Sequence, residues 1–207
     1  MKRIFSTKKP LILASGSPRR QQYFQDLGLV FSVRCADVVE TQMPGEDPES
    51  FVLRMAAEKA MAVMSVHPDS WVVAADTVVS LKTDVFGKPK DKDEALLMLM
   101  RLSGREHCVR TGFCIGCLEE NIRIVDSVLT RVTFADVSED IARAYVETGE
   151  PLDKAGAYGI QGKGAFLVTT LSGSYSNVVG LPLHEVLVYL QGYGVIGMTT
   201  DTDCYPL

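Results

Sequence analysis

The chain is predicted to fold as one α/β domain, and three observations carry that expectation. A valine-rich run, "WVVAADTVVSL" (71–81), has the nearly continuous apolar character of a strand buried on both faces. Two further long strand patterns, "HCVRTGFCIGCL" and "IRIVDSVLTRVTFAD", lie either side of the polar turn "EEN" and suggest a hairpin or two neighbouring strands. Around them are segments with clear helix start and stop signals. Strands and helices so mixed belong to an α/β layer architecture, here one core pinched into two lobes with a cleft.

Taken in order, Leu11 to Ala14 reads as a short buried strand. Ser17 and Pro18 then supply an N-cap and a first-position proline, and Gly28 closes the helix. A second helix starts at Asp47-Pro48 and runs through "FVLRMAAEKAMAVM", where Val52, Met55, Ala56, Ala60 and Val63 share an apolar face that also contains Lys59. After the 71–81 strand, "GKPKD" is a turn, and Asp91 with Glu94 makes a capping-box start to a helix ending near Gly104. Ser138, Glu139 and Asp140 open a helix over "IARAYVETG". A glycine-rich loop follows, then a strand at Phe166 to Thr170 and a last helix beginning near Pro182.

Composition narrows the function classes. With 207 residues, 46% hydrophobic and 23% charged, the chain has enough apolar material for one sizeable core. A net charge of -5 disfavours binding to polymeric nucleic acid, which needs a basic surface, so a phosphate ligand must be held by a local cluster. No apolar run approaches the roughly 20 residues that span a bilayer, which suits a soluble intracellular protein. The five cysteines are expected to be reduced thiols. A structural zinc site at Cys114 and Cys117 would need a second pair, and on a strand these two point to opposite faces; a thiol or metal protein centred on them is a third reading.

Four anomalies point to chemistry. Arg19 and Arg20 stand at a helix start, where the macrodipole favours anions; with Ser15, Gly16 and Ser17 they can cradle a phosphate, or they can simply be solvated. Asp76 interrupts a buried strand and needs a cation, a metal or a cleft beside it, unless it bonds a loop amide. Lys59 lies on an apolar helix face and, taken alone, is expected to snorkel to solvent. Lys88, Lys154, Gln161 and Lys163 add basic and amide groups on turns, in a loop whose glycines would let backbone approach a ligand. Together with Glu40, this set fits phosphate chemistry assisted by a hard, oxygen-liganded divalent ion.

The segments "LASGSPRR", "AADTVV", "GKPKD", "LSGREH", "GEPLDKAGAYGIQGKGA" and "GSYSNVVGLPLHE" together resemble the Maf family of nucleoside triphosphate pyrophosphatases. The likeness runs from about Leu11 to Leu190, within a single domain over 1–207 with short terminal extensions. The resemblance implies cleavage between the α- and β-phosphates with Mg²⁺ or Mn²⁺. It also implies an elongated two-lobed α/β molecule, in which helices flank a mixed twisted sheet around a central cleft, similar to inosine triphosphate pyrophosphatases. A cytoplasmic homodimer is implied, with a role in removing non-standard nucleotides and a link to septum formation.

"ADT" followed by "GIQG" resembles the branch acting on dTTP, UTP and related pyrimidine nucleotides, whereas the 7-methyl-GTP branch has "DQ" where Asp76-Thr77 stands. By the same resemblance Asp76 is the general base and Arg19, Thr77 and Gln161 govern substrate choice. Ser15, Arg20, Lys59 and Lys88 then bind substrate, and Glu40 with Asp76 holds the metal. "VVETQ" around Glu40 departs from the paired acids common there. A competing reading from another class is a nucleotide-binding regulator of division whose hydrolysis is incidental.

Overall fold

A computed structural model describes residues 4–199. Its centre is a seven-stranded mixed sheet. Strand β2 (Leu11–Leu13) leads into helix α1 (Pro18–Asp26), and β3 (Ser32–Val33) follows. Helix α2 (Pro48–Met64) then delivers the chain to β4 (Trp71–Leu81) and β5 (Asp84–Phe86). Helix α3 (Lys92–Leu102) precedes the long strands β6 (Glu106–Cys117) and β7 (Ile122–Phe134), and α4 (Glu139–Glu147) precedes β8 (Val168–Ser172). Helices α5 (Tyr175–Val179) and α6 (Leu183–Gly192) come last, and β1 (Phe5–Thr7) pairs with β9 (Ile196–Met198) in a separate ribbon.

The sheet order is β3-β2-β4-β6-β7-β8, with β5 on the flank of β4. Pairing is parallel between β2 and each of β3 and β4, and antiparallel elsewhere, so the expected mixed sheet forms and β6–β7 is the expected hairpin. The strand at 71–81 is parallel to one neighbour only.

Alternation along β4 explains its nearly unbroken apolar sequence. Trp71, Val73 and Ala75 pack with α1 and α6, whereas Val72 and Ala74 pack under Ala56, Ala60 and Val63 of α2. A third core gathers Val79, Phe86, Leu99, Phe134 and Tyr145 at the other end. Helix α2 lies very close to the sheet. A Cβ at Gly112 would sit 2.4 Å from the carbonyl oxygen of Val52, and one at Gly116 would meet Met64 at 3.1 Å.

One feature of the topology creates the cleft. Strand β6 occupies one edge of β4 along Val72–Ser80, while β2 pairs with the other edge only to Val73 and β5 begins only at Val79. The stretch Ala74–Val78 therefore has no strand neighbour on that side, and Asp76 lies within it.

Several local expectations shift. The strand expected at Phe166–Thr170 is Val168–Ser172, because Lys163–Leu167 closes the glycine-rich loop as a 3-10 turn. The last helix is preceded by the short α5, capped by Ser174 and ended at Gly180 with φ 119°. Ser17 occupies the N-cap position but makes no capping bond; Ser15 Oγ accepts from the Ser17 amide instead. At α3, Asp91 accepts from the Glu94 amide, but the Glu94 carboxylate accepts from Lys90 rather than from the cap residue.

Candidate active site

Beside the unpaired edge of β4 is a cavity of about 710 Å³, within the usual range for a small-molecule site. The nine residues that the family resemblance assigns to the site all line it: Ser15, Arg19, Arg20, Glu40, Lys59, Asp76, Thr77, Lys88 and Gln161; of the other two loop lysines noted in the sequence, Lys154 lines it and Lys163 does not. They arrive from the β2–α1 loop, the segment before α2, α2 itself, β4, the turn after β5 and the glycine-rich loop.

At the centre, Lys59 Nζ donates to Asp76 Oδ1 at 2.6 Å and pairs with Glu40 Oε1 at 2.6 Å. The expectation that Lys59 snorkels outward is therefore overturned. Its side chain is only 11% exposed, because α2 lies against the sheet and the facing even-numbered side of β4 offers a carboxylate. Asp76 thus has both a cation and a cleft beside it. Burial works to raise the Glu40 carboxyl, but the bond and charge of Lys59, with Lys88 and Arg20, outweigh it and hold Glu40 below the ordinary carboxylate range.

The two adjacent arginines diverge. Arg20 turns inward and donates to the Gly180 carbonyl (2.6 Å), Ser15 Oγ (3.1 Å), the Ala75 carbonyl (2.8 Å) and Thr77 Oγ1 (3.1 Å). Four of its five N–H groups are thereby used within the protein. Burial pushes its pKa down to about 10, against the pull of Asp76 and Glu40, so it stays cationic at neutral pH. Arg20 therefore braces α1, β4 and the α5–α6 turn while still lining the cavity with one N–H unused by the described residues. Arg19 instead reaches Asp153 at 3.1 Å on the cavity rim, where it is 31% exposed.

The hydroxyl of Thr77 is also engaged. Thr111 donates to the carbonyl of Asn177 (3.0 Å), so the 2.9 Å bond between the two threonines carries the Thr77 hydrogen, and Thr77 accepts from Arg20. Gln161 is exposed on the rim, with no side-chain hydrogen bond among the described residues, and Lys88 is likewise without an ion pair there.

Sequence reasoning missed Asp153, Glu150, Tyr145, Thr111 and Asn177. Asp153 and Glu150 stand in the loop motif, but nothing in their local pattern names a partner far away in sequence. The loop glycines have an internal role as well, while Gly159 and Gly162 also line the cavity. Cβ atoms at Gly162 and Gly164 would meet Glu150 at 2.5 Å and Tyr145 at 2.4 Å, so the space is needed for internal packing. Cys114 and Cys117 are buried on opposite sides of the sheet, in different cores, and burial raises the Cys114 thiol to about 11, which disfavours its thiolate.

Counting charges, five cations (Arg19, Arg20, Lys59, Lys88, Lys154) face three carboxylates (Glu40, Asp76, Asp153), a lining suited to a polyanion. Glu40 and Asp76 flank the same ammonium and offer hard oxygen donors, the chemistry that suits Mg²⁺ or Mn²⁺. Among the described residues they are not joined by a third His, Cys, Asp or Glu, so phosphate oxygens and water would complete such a coordination shell.

Fold and site thus define a mixed-sheet α/β protein with a cation-rich cleft built around a lysine-held aspartate. A family model described as Maf-like protein matches residues 10–193, and the chain belongs to that family. It is 54% identical to a dTTP/UTP pyrophosphatase of Desulfotalea psychrophila, over 94% of this chain and 100% of that one. It is 50% identical to proteins of the same name from Myxococcus xanthus (89% and 93% covered) and Nitratidesulfovibrio vulgaris (93% and 91%). The Ham1 protein of Staphylococcus aureus matches with a TM-score of 0.54 at 14% identity, covering 89% of this chain and 100% of that one, which supports the fold alone.

Proposed function

We propose that this protein hydrolyses dTTP and UTP to the nucleoside monophosphate and pyrophosphate, with Asp76 as general base. The observation that carries the reading is the Lys59–Asp76 pair, at 2.6 Å, at the one stretch of β4 edge that opens into a cationic cavity. The names of the relatives supply the substrate class.

In this reading Asp76 Oδ1 is anchored by Lys59, while Oδ2, without a hydrogen bond among the described residues, takes a proton from the attacking water. The water oxygen bonds to the α-phosphorus, the bond from that phosphorus to the α,β-bridging oxygen breaks, and pyrophosphate leaves with the electron pair. Arg19, Lys88 and Lys154 line the cavity and offset the charge that the polyphosphate gains in the transition state, and Arg20 adds its field from within the wall. A divalent ion held by Glu40 and Asp76 would supply further charge neutralisation at the phosphate oxygens. With the Thr77 hydrogen given to Thr111, Gln161 is the amide free to pair with a base edge.

The substrates are intracellular nucleotides, which supports action in the cytoplasm. The family resemblance supports a homodimer, which sedimentation equilibrium of the purified protein would test by returning twice the chain mass. The reaction itself is tested by product analysis of dTTP and UTP with Mg²⁺ or Mn²⁺. dTMP and UMP with pyrophosphate are expected; dTDP or UDP with orthophosphate would overturn the assignment.

A further inference from the structure

The glycine-rich loop carries three groups on the cavity wall, Asp153, Lys154 and Gln161, yet it contains only short 3-10 turns to hold its shape. Besides a few backbone bonds, such as Gly156 amide to Gly87 carbonyl at 3.1 Å, one carboxylate ties its later part together. Glu150 Oε2 accepts from the amide of Lys163 at 2.8 Å, and Oε1 accepts from the amide of Gly164 at 3.0 Å and from the Tyr145 hydroxyl at 2.9 Å. The Tyr145 oxygen accepts in turn from the Gly159 amide at 3.1 Å, and Lys154 Nζ donates to the Glu150 carbonyl at 2.7 Å.

Gln161 therefore sits on a bridge whose two ends, Gly159 and Lys163, are both tied to the Glu150–Tyr145 unit. The absence of side chains fits the same picture. A Cβ at Gly162 would lie 2.5 Å from Glu150 Oε2, and one at Gly164 would lie 2.4 Å from the Tyr145 oxygen, so the loop wraps the pair as tightly as glycine permits.

We propose that Glu150, through Tyr145, is a positioning residue for base selection: it holds the 159–164 bridge so that Gln161 meets the base of a pyrimidine nucleoside triphosphate. Glu150 does not line the cavity and touches no substrate. Its carboxylate form is required, because three donors converge on two oxygens. An amide at this position would turn an N–H toward at least one of those donors, so at least one of the three bonds that hold the bridge is lost. The inference rests on the proposed substrate class, and its test is chosen to separate the two.

The test compares wild type, Glu150→Gln and Tyr145→Phe by dTTP and dGTP binding in calorimetry, by turnover of both, and by thermal melting. For both variants the KM and Kd for dTTP are expected to rise about tenfold, with kcat within about twofold and the preference for dTTP over dGTP falling about tenfold. A lowered melting temperature with unchanged Kd, KM and dTTP preference would overturn the proposal and leave Glu150 a fold anchor only. Should Glu150→Gln fail to fold, Tyr145→Phe, which keeps the carboxylate and its two amide bonds, decides by the same numbers. Wild type that binds dTTP selectively without hydrolysing it would sink the pyrophosphatase reading, while the binding ratios still judge Glu150. Wild type that binds dTTP no better than dGTP would overturn the proposal for Glu150.

Discussion

At the scale of single residues, neighbours in sequence have opposite duties. Arg19 and Arg20 both signal phosphate chemistry in the sequence, yet Arg20 uses four donors to join three segments of the protein. Charge reversal at Arg20 is therefore expected to damage folding as well as binding, contrary to a purely ligand-facing role. Arg20→Met is expected to cost roughly 2–4 kcal/mol in a denaturant titration, since it leaves several partly buried acceptors unpaired. That cost was invisible in the sequence because the Gly180 and Ala75 carbonyls are main-chain groups brought there only by the fold. His107 makes a second residue-level prediction. It is buried against Phe134 and Tyr158, and burial pushes its pKa down to about 4. The unfolded imidazole takes up a proton near pH 6.5 while the folded one resists, so stability is full above that pH and falls toward pH 4. Urea midpoints should show about 2 kcal/mol lost by pH 5, and His107→Leu should flatten that slope.

At the scale of elements, the site depends on how close α2 comes to β6. Gly112 stands opposite Asp76 in the β4–β6 register, and its missing side chain is what admits the Val52 carbonyl. Gly112→Ala is expected to lift the first turns of α2, destabilise the protein by roughly 1–3 kcal/mol and lower kcat, because Lys59 rides on the same helix. Melting curves with turnover assays would check this, and an unchanged kcat would disconnect Lys59 from helix placement. Long elements were legible in the sequence because period and capping agree over many residues: α2, β4 and the β6–β7 hairpin all fall where expected. The short strands β1, β3, β5 and β9, and helix α5, were not read, since two to five residues carry too little periodicity and depend on tertiary pairing. Lys59 is the instructive failure. On a helix alone it is a snorkelling lysine, and only the sheet beneath it reveals the carboxylate.

At the scale of the whole molecule, the parallel and antiparallel halves of the sheet meet along β4, and the gap between β2 and β5 becomes the cavity. A chain of net charge -5 thereby concentrates five cations on one internal surface, reconciling an acidic protein with a polyanionic substrate. The resemblance found in the sequence gathered residues that lie far apart along the chain, and the fold brings all nine to one place. What the sequence alone could not supply was which of them brace the wall and which face the ligand. In the proposed reaction Asp76 takes the proton from water in that cavity. The most direct measurement is pyrophosphate release from dTTP by wild type and Asp76→Asn, beside calorimetric binding of dTTP to both. Turnover should fall by at least about a hundredfold while dTTP still binds within about tenfold of wild type. Turnover by Asp76→Asn within a few-fold of wild type would contradict the account.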